Sequence, residues 1–280
     1  MNLSEARRRT AERLCASGIE SPAREAELLL AEAARISRSF LAAHPSLPLE
    51  EAAALRLFEM TELRCCGEPL QYLLGSWEFY GRPLDVAPGV LIPRPDTEVL
   101  VEQALSLLPP AGRFLDWGTG SGCIALALLA ERPDLSGVAV DANPQALSLS
   151  WRNLKKHGLL SRCFLWHSRS PEDIPARDGE FDLVVSNPPY IPSSRLSALP
   201  REVRKEPLSA LDGGDDGLCW YREIFRWAPA KLRLGGRLLF EIGDGEQGEQ
   251  LTGIAPSSLV FNGIFHDMSC KPRAVSWLRV

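Results

Sequence analysis

What this chain lacks narrows its class before any motif is read. No apolar run approaches the ~18 residues that a membrane-spanning helix needs, so no membrane partner is expected. The seven cysteines include no C-x-x-C pair, and Cys65 and Cys66 are adjacent. That pattern excludes a zinc ribbon and a disulfide framework, so the expectation is a reduced, cytoplasmic chain without a metal. The opening Met1-Asn2-Leu3-Ser4-Glu5 carries no signal-peptide pattern. There is no long basic run either. Lys155-Lys156-His157 reads as a solvated helix face, and the formal net charge is −5. Nucleic-acid proteins carry a basic footprint, so no direct nucleic-acid partner is expected. His157, His167 and His266 have no triad or ligand partners in the sequence and read as structural.

What is present begins with Asn187-Pro188-Pro189-Tyr190, directly after the apolar run Phe181 to Ser186. Such a run reads as a buried parallel strand, and open α/β sheets bind ligands at the carboxyl ends of their strands. Two prolines stiffen the backbone there and remove two N–H donors. What remains is a row of acceptors, the Asn187 side-chain oxygen and nearby carbonyls, with an aromatic ring alongside. This suits a planar –NH2 group, although Pro-Pro after a strand also serves as a plain stiff turn.

A second motif lies upstream. Arg113 to Trp117 reads as a strand, Gly118-Thr119-Gly120-Ser121-Gly122 as a turn, and Cys123 to Ala130 as an apolar helix. The nicotinamide fingerprint G-x-G-x-x-G would need glycine where Cys123 stands. The alternating G-x-G-x-G spacing instead resembles motif I of S-adenosylmethionine-dependent methyltransferases. Asp141 closes the next apolar run, Gly137 to Val140, and an acid at that place binds ribose hydroxyls in dinucleotide folds. Asn143-Pro144 then opens a helix, with Asn143 as cap.

With both motifs in place, the chain resembles the protein-glutamine methyltransferases that modify peptide-chain release factors. The likeness covers nearly all 280 residues. Its carriers include Gly67 to Tyr72, Trp77 to Gly81, the segment Leu91-Ile92-Pro93-Arg94-Pro95-Asp96-Thr97-Glu98, and Glu206 to Leu211. The resemblance implies S-adenosylmethionine as methyl donor and release factors, through the glutamine of a Gly-Gly-Gln loop, as protein substrate. It implies Asn187, Pro188 and Tyr190 as catalytic residues: the Asn187 oxygen and Pro188 carbonyl accept the amide hydrogens, and Tyr190 stacks on the amide plane, with Pro189 completing the substrate site. It implies cofactor contacts from Gly118, Thr119, Gly120, Ser121, Gly122, Asp141 and Asn187, and from Ser168 and Arg169 beside the adenine. Two departures stand out. Ser168-Arg169 replaces the family's frequent Asp and aromatic pair, and Trp117 replaces a small or aliphatic residue. Arg94, Glu98 and Glu206 are open between a structural role and contact with cofactor or substrate.

The fold expected is α/β: a mostly parallel, seven-stranded methyltransferase sheet of Rossmann-like type, with a small N-terminal helical domain. Residues 1–73 read as a helical substrate-recognition domain, 74–95 as a hairpin linker and 96–280 as the catalytic domain. Ala26, Leu29, Leu30 and Ala33 fall on one helical face behind the start signal Ser21-Pro22. The last strands are expected at 236–242, 259–265 and 274–280, ending in an antiparallel hairpin. The alternative function is an adenine amino-methyltransferase acting on DNA or RNA, which shares the Asn-Pro-Pro-Tyr chemistry. A silent S-adenosylmethionine-binding adaptor and a nucleotide-dependent oxidoreductase fit the residues less well.

Overall fold

The computed structural model describes residues 1–174 and 176–280 and divides into two compact units. One comprises Met1–Ser76 together with Pro200–Lys205; the other comprises Trp77–Leu199 and Glu206–Val280.

The first unit is helical: α1 (Leu3–Ala16), α2 (Pro22–Ala34), α3 (Arg38–Ala43), α4 (Glu51–Cys65) and α5 (Leu70–Leu74). Pro22 opens α2 as expected, and Ala26, Leu29, Leu30 and Ala33 are all buried. Arg35, in the left-handed region, ends that helix. Arg64 on α4 is buried to 3 % exposure, which its partners explain. Its guanidinium meets Glu25 at 2.6 Å and Glu202 at 2.7 Å and donates to the Glu68 carbonyl. Glu202 lies in the short later segment that belongs to this unit, a long-range link that periodicity does not register.

The second unit opens with a hairpin, β1 (Ser76–Phe79) and β2 (Arg82–Asp85), and α6 (Thr97–Leu107). Then come β3 (Arg113–Trp117), α7 (Cys123–Glu131), β4 (Ser136–Asp141), α8 (Pro144–Lys156), β5 (Cys163–His167) and β6 (Phe181–Ser186). The chain finishes with α9 (Cys219–Lys231), β7 (Leu232–Glu241), α10 (Gly245–Ile254), β8 (Leu259–His266) and β9 (Pro272–Arg279). The seven-stranded sheet has the order β5-β4-β3-β6-β7-β9-β8. Its β5 to β7 pairings are parallel, and β9 runs antiparallel to both neighbours, as the late sequence pattern leads one to expect.

Side-chain alternation along the strands builds a core on each face. Phe114, Ala139, Leu183 and Leu239 point to the side packed by α6 and α7. Leu115, Val138, Val184, Leu238 and Phe240 point to the side covered by α9 and α10. Phe181 breaks the parity of β6 because the register with β7 shifts between Phe181 and Leu183. Tyr221, Phe225, Phe240 and Trp277 form edge-to-face pairs at ring distances of 5.0–5.7 Å. Such pairs add to burial energies of about 1.5–3 kcal/mol per large side chain. The consequence for function lies in the strand order. The chain runs outward from β3 to β5, then returns to lay β6 on the other side of β3. The ends of β3 and β6 therefore border the crevice where such sheets place ligands.

Candidate active site

The glycine turn leaves β3 and returns at once into α7. Gly118 and Thr119 both donate to the Val140 carbonyl at 2.9 Å, which fastens the turn to β4. Gly118 sits at φ +75°, and a Cβ there would meet nothing within 4 Å, so its face is open. Gly122 has a different reason to be glycine: at φ +81°, a Cβ would lie 2.4 Å from the Ser150 hydroxyl on α8. Beneath the turn, Asp116 is fully buried and accepts the Thr119 hydroxyl at 2.6 Å. Burial lifts its carboxyl to about 7, opposed by the Thr119 bond.

Asp141 ends β4. Its two oxygens accept the Gly120 and Asn143 backbone N–H groups, each at 2.8 Å. Burial raises its pKa, and these N–H donors, with that of Ala142, pull the other way. Asn143 caps α8 as expected, accepting from the Gln145 N–H at 2.9 Å, and also donates to the Gly89 carbonyl. The glycine turn, the acid and the segment before α6 are thus fixed to one another through backbone groups.

Asn187 leaves β6 beside this turn. The Ser186 hydroxyl donates to the Trp117 carbonyl at 2.7 Å and binds the ends of β6 and β3 together. Asn187 Nδ2 donates to Thr97 Oγ1 at 3.2 Å. Tyr190 packs against the turn after β7. Its ring edge packs where a Cβ on Gly243 would be 3.2 Å distant, and its hydroxyl donates to Glu241 at 3.5 Å. Burial raises the Tyr190 pKa, so the phenol stays protonated. Glu241 is buried, and burial lifts its carboxyl to about 7. Opposite Asn187, Glu206 is buried and accepts the Ile92 N–H at 3.0 Å, and it forms an ion pair with Arg94. That pair braces the Ile92 to Thr97 segment from within the protein.

These elements enclose a cavity of about 520 Å³. Its wall includes Gly118, Thr119, Gly120, Ser121, Asp141, Ser168, Arg169, Asn187, Pro188 and Pro189. Gly122 and Tyr190 are not part of that wall: Gly122 is packed on α8 and Tyr190 on the Gly243 turn. The Ser168 hydroxyl is already engaged, donating to the Ser170 carbonyl and accepting the Ser170 N–H. Arg94, Thr97, Trp117 and Trp220 are also part of the wall. Arg94 thus both faces the cavity and holds Glu206, so its two readings are compatible. Sequence reasoning passes over Asp116, Thr97 as a hydrogen-bonding group, and Glu241. Asp116 sits two residues before the first glycine, a usable signal. Glu241 has none, being one acid at the end of one strand among several.

The arrangement fits an adenosyl cofactor. The open face at Gly118 admits a ligand against the backbone. Asp141 retains acceptor capacity beyond its two N–H bonds. The volume is in the range of small-molecule sites. Among the described residues no cluster of side chains is arranged to hold a metal, and no helix is long and apolar enough to cross a membrane.

Comparison with known proteins identifies the family. Residues 5–75 match the family model described as PrmC N-terminal domain, and residues 95–200 match the methyltransferase small domain. A release factor glutamine methyltransferase of Geobacter sulfurreducens is 46% identical over 86% of this chain and 84% of its own. One from Cereibacter sphaeroides is 41% identical over 99% and 98%. In fold, the chain resembles the hMettl16 catalytic domain solved with a MAT2A hairpin, at TM-score 0.55 and 17% identity, over 83% of this chain and 84% of that one. At this identity and coverage in the curated relatives, the chain belongs to the release factor glutamine methyltransferase family.

Proposed function

We propose that this protein methylates the side-chain amide nitrogen of a glutamine in peptide-chain release factors, with S-adenosylmethionine as donor. The observation that supports this most directly is the Asn187 amide. Its nitrogen donates to Thr97, and among the described residues Oδ1 has no partner, on a residue of the cavity wall that the glycine turn and Asp141 also line.

When bound, S-adenosylmethionine supplies a methyl group activated on a sulfonium. Gly118, Gly120 and Asp141 would hold it, with Ser168 and Arg169 nearby. The chain's own task is the nucleophile. An amide nitrogen is weak because its lone pair is shared with the carbonyl. Asn187 Oδ1 and the Pro188 carbonyl accept the two N–H groups of the substrate amide and aim the nitrogen. Such positioning supplies up to roughly 7–11 kcal/mol of a barrier. Positive charge grows on the nitrogen during transfer, so both acceptors bind it more tightly then than before. Tyr190 rests on the Gly243 side with its hydroxyl on Glu241, outside the cavity wall, so it supports the loop rather than covering the amide plane.

Residues 1–73 recognise the protein substrate in this reading. The support is an exposed apolar face on α4, where Leu55 and Phe58 are 61% and 64% exposed one helical turn apart. Isolated exposed apolar residues are ordinary, whereas contiguous exposed apolar surface marks interaction sites. The test is incubation with labelled S-adenosylmethionine, purified release factors and nucleic acids, with the label located by mass spectrometry. Label on the release-factor glutamine is expected. Label on adenine, with none on release factor, favours the nucleic-acid alternative.

A further inference from the structure

Phe240 on β7 pairs with Ser186 on β6, so Glu241 and Asn187 leave neighbouring parallel strands at one level. Glu241 is 2% exposed and, among the described residues, lies behind the cavity wall formed by Thr97 and Asn187. The Tyr190 hydroxyl donates to its Oε1. Among the described residues its Oε2 is buried and meets no hydrogen bond of ordinary geometry, which leaves room for the nearby Thr97 hydroxyl to close on it. The Thr97 hydroxyl acts on it as a hydrogen-bonding neighbour and favours its ionised form. Asn187 Nδ2, in turn, donates to Thr97 Oγ1.

We propose that Glu241 is a positioning residue for the Asn187-Pro188-Pro189-Tyr190 site: it orients the Asn187 amide through the Thr97 hydroxyl and anchors Tyr190 directly. The inference rests on the reading of Asn187 as acceptor for the substrate amide. An ionised carboxylate only accepts hydrogen bonds, whereas a hydroxyl has one proton and two lone pairs. The Thr97 proton therefore turns to Glu241, and the Thr97 oxygen offers a lone pair to Asn187. Asn187 meets a lone pair with its NH2, which leaves Oδ1 toward the cavity. A protonated Glu241 reverses the chain. It donates to Thr97, the Thr97 proton turns to Asn187, and the amide answers by swinging Oδ1 inward and NH2 into the cavity. A donor in that place opposes the –NH2 of the substrate.

The charges around Glu241 set where this reversal falls. Burial raises the carboxyl and Asp96, just before α6, acts in the same direction, while Thr97, Arg273 on β9 and Tyr190 oppose them. Arg273 is shared between Asp96 and Asp267. Tyr221 on α9 and Cys123 on α7 also feel the carboxylate, and both are held protonated by burial. The balance lies at about 7. The active arrangement is the one with Glu241 ionised.

The experiment measures kcat and KM for release-factor methylation on both sides of neutrality, with S-adenosylmethionine affinity by calorimetry, for the wild type, Glu241→Gln, Thr97→Val and Thr97→Ser. Removing an outer partner that orients a working group costs on the order of 10–100-fold. That loss is expected in kcat for Glu241→Gln and Thr97→Val, with cofactor affinity kept. Thr97→Ser, which retains the hydroxyl, restores most of it. The rise of wild-type kcat through neutrality should vanish in Glu241→Gln. An unchanged profile in Glu241→Gln, or full activity of Thr97→Val, overturns the inference. Because Thr97→Val leaves the carboxylate in place, the test stands even if Glu241→Gln fails to fold. Full activity of Asn187→Ala would instead refute the underlying acceptor reading. An inactive Asn187→Ala beside a normal Glu241→Gln refutes the Glu241 role alone.

Discussion

Asp141 and Glu241 each end a strand of the same sheet, and burial raises both carboxyl groups. Their surroundings differ in kind. Asp141 is braced by backbone N–H groups of Gly120 and Asn143 and lines the cavity. Glu241 is met by side-chain hydroxyls and sits behind the wall. Backbone donors are fixed by the turn and cannot be lost to a side-chain substitution. Hydroxyls rotate, so a site that depends on them answers to protonation. The first acid suits a permanent ligand contact, the second an adjustable support.

The largest effect should come from Asn187, the residue that Glu241 is inferred to serve. Loss of one transition-state acceptor costs on the order of 10²–10³ in kcat. Asn187→Ala should show that loss while its thermal unfolding and cofactor binding stay close to wild type. A folded variant with near-normal turnover would remove the reason for Glu241 to matter.

The next effect separates the two acids by stability. Glu241 keeps its proton up to about 7 in the folded chain, against an ordinary 4.5. The folded state then binds more protons than the unfolded one between those values. Its stability is fullest below the ordinary value and declines as pH rises through about 7. A shift of this size corresponds to about 3 kcal/mol. Glutamine carries no such penalty, so Glu241→Gln should gain on wild type by about that amount between acid and alkaline urea unfolding. A constant gap between the two proteins at all pH values would show that Glu241 is not held near neutrality.

The contrast also explains what the sequence made legible. The sheet and its antiparallel close were readable because buried strands are short apolar runs and the helices between them keep their period. That Gly118, Gly120, Asp141 and Asn187 border one cavity was readable because close backbone approach and strand-end placement restrict residue type. Arg64 with Glu202, and Glu241 with Thr97, were not. Each joins residues far apart in sequence, and an acid or a threonine alone at a strand or helix end is common. The resting place of Tyr190 against Gly243 was equally hidden, since ring orientation depends on neighbours that the motif does not contain.

Asp141 should show a third, smaller effect, confined to binding. Losing a charged hydrogen-bond partner costs about 1.5–3 kcal/mol. Calorimetry on Asp141→Ala should find S-adenosylmethionine and its demethylated product weakened to a similar degree. The kcat at saturating cofactor should move much less, opposite to the Glu241→Gln pattern. Equal affinities in wild type and variant would place the ribose elsewhere on the cavity wall.

The smallest effect tests the bracing itself. Asn143 gives Asp141 only its backbone N–H, while its side chain caps α8 and reaches the Gly89 carbonyl. Alanine keeps the N–H and loses the cap, which costs about 1 kcal/mol of stability. Asn143→Ala should therefore melt slightly lower yet bind S-adenosylmethionine nearly as well as wild type, because the bond that orients Asp141 survives. Thr97→Val makes the opposite exchange: it removes one hydroxyl, and among the described residues no backbone group holds the Asn187 side chain in its place. Thermal unfolding with calorimetry, run on both variants, decides the matter. If Asn143→Ala loses cofactor affinity as deeply as Asp141→Ala does, Asp141 is held by side chains after all, and the distinction between a fixed and an adjustable acid fails at its first member.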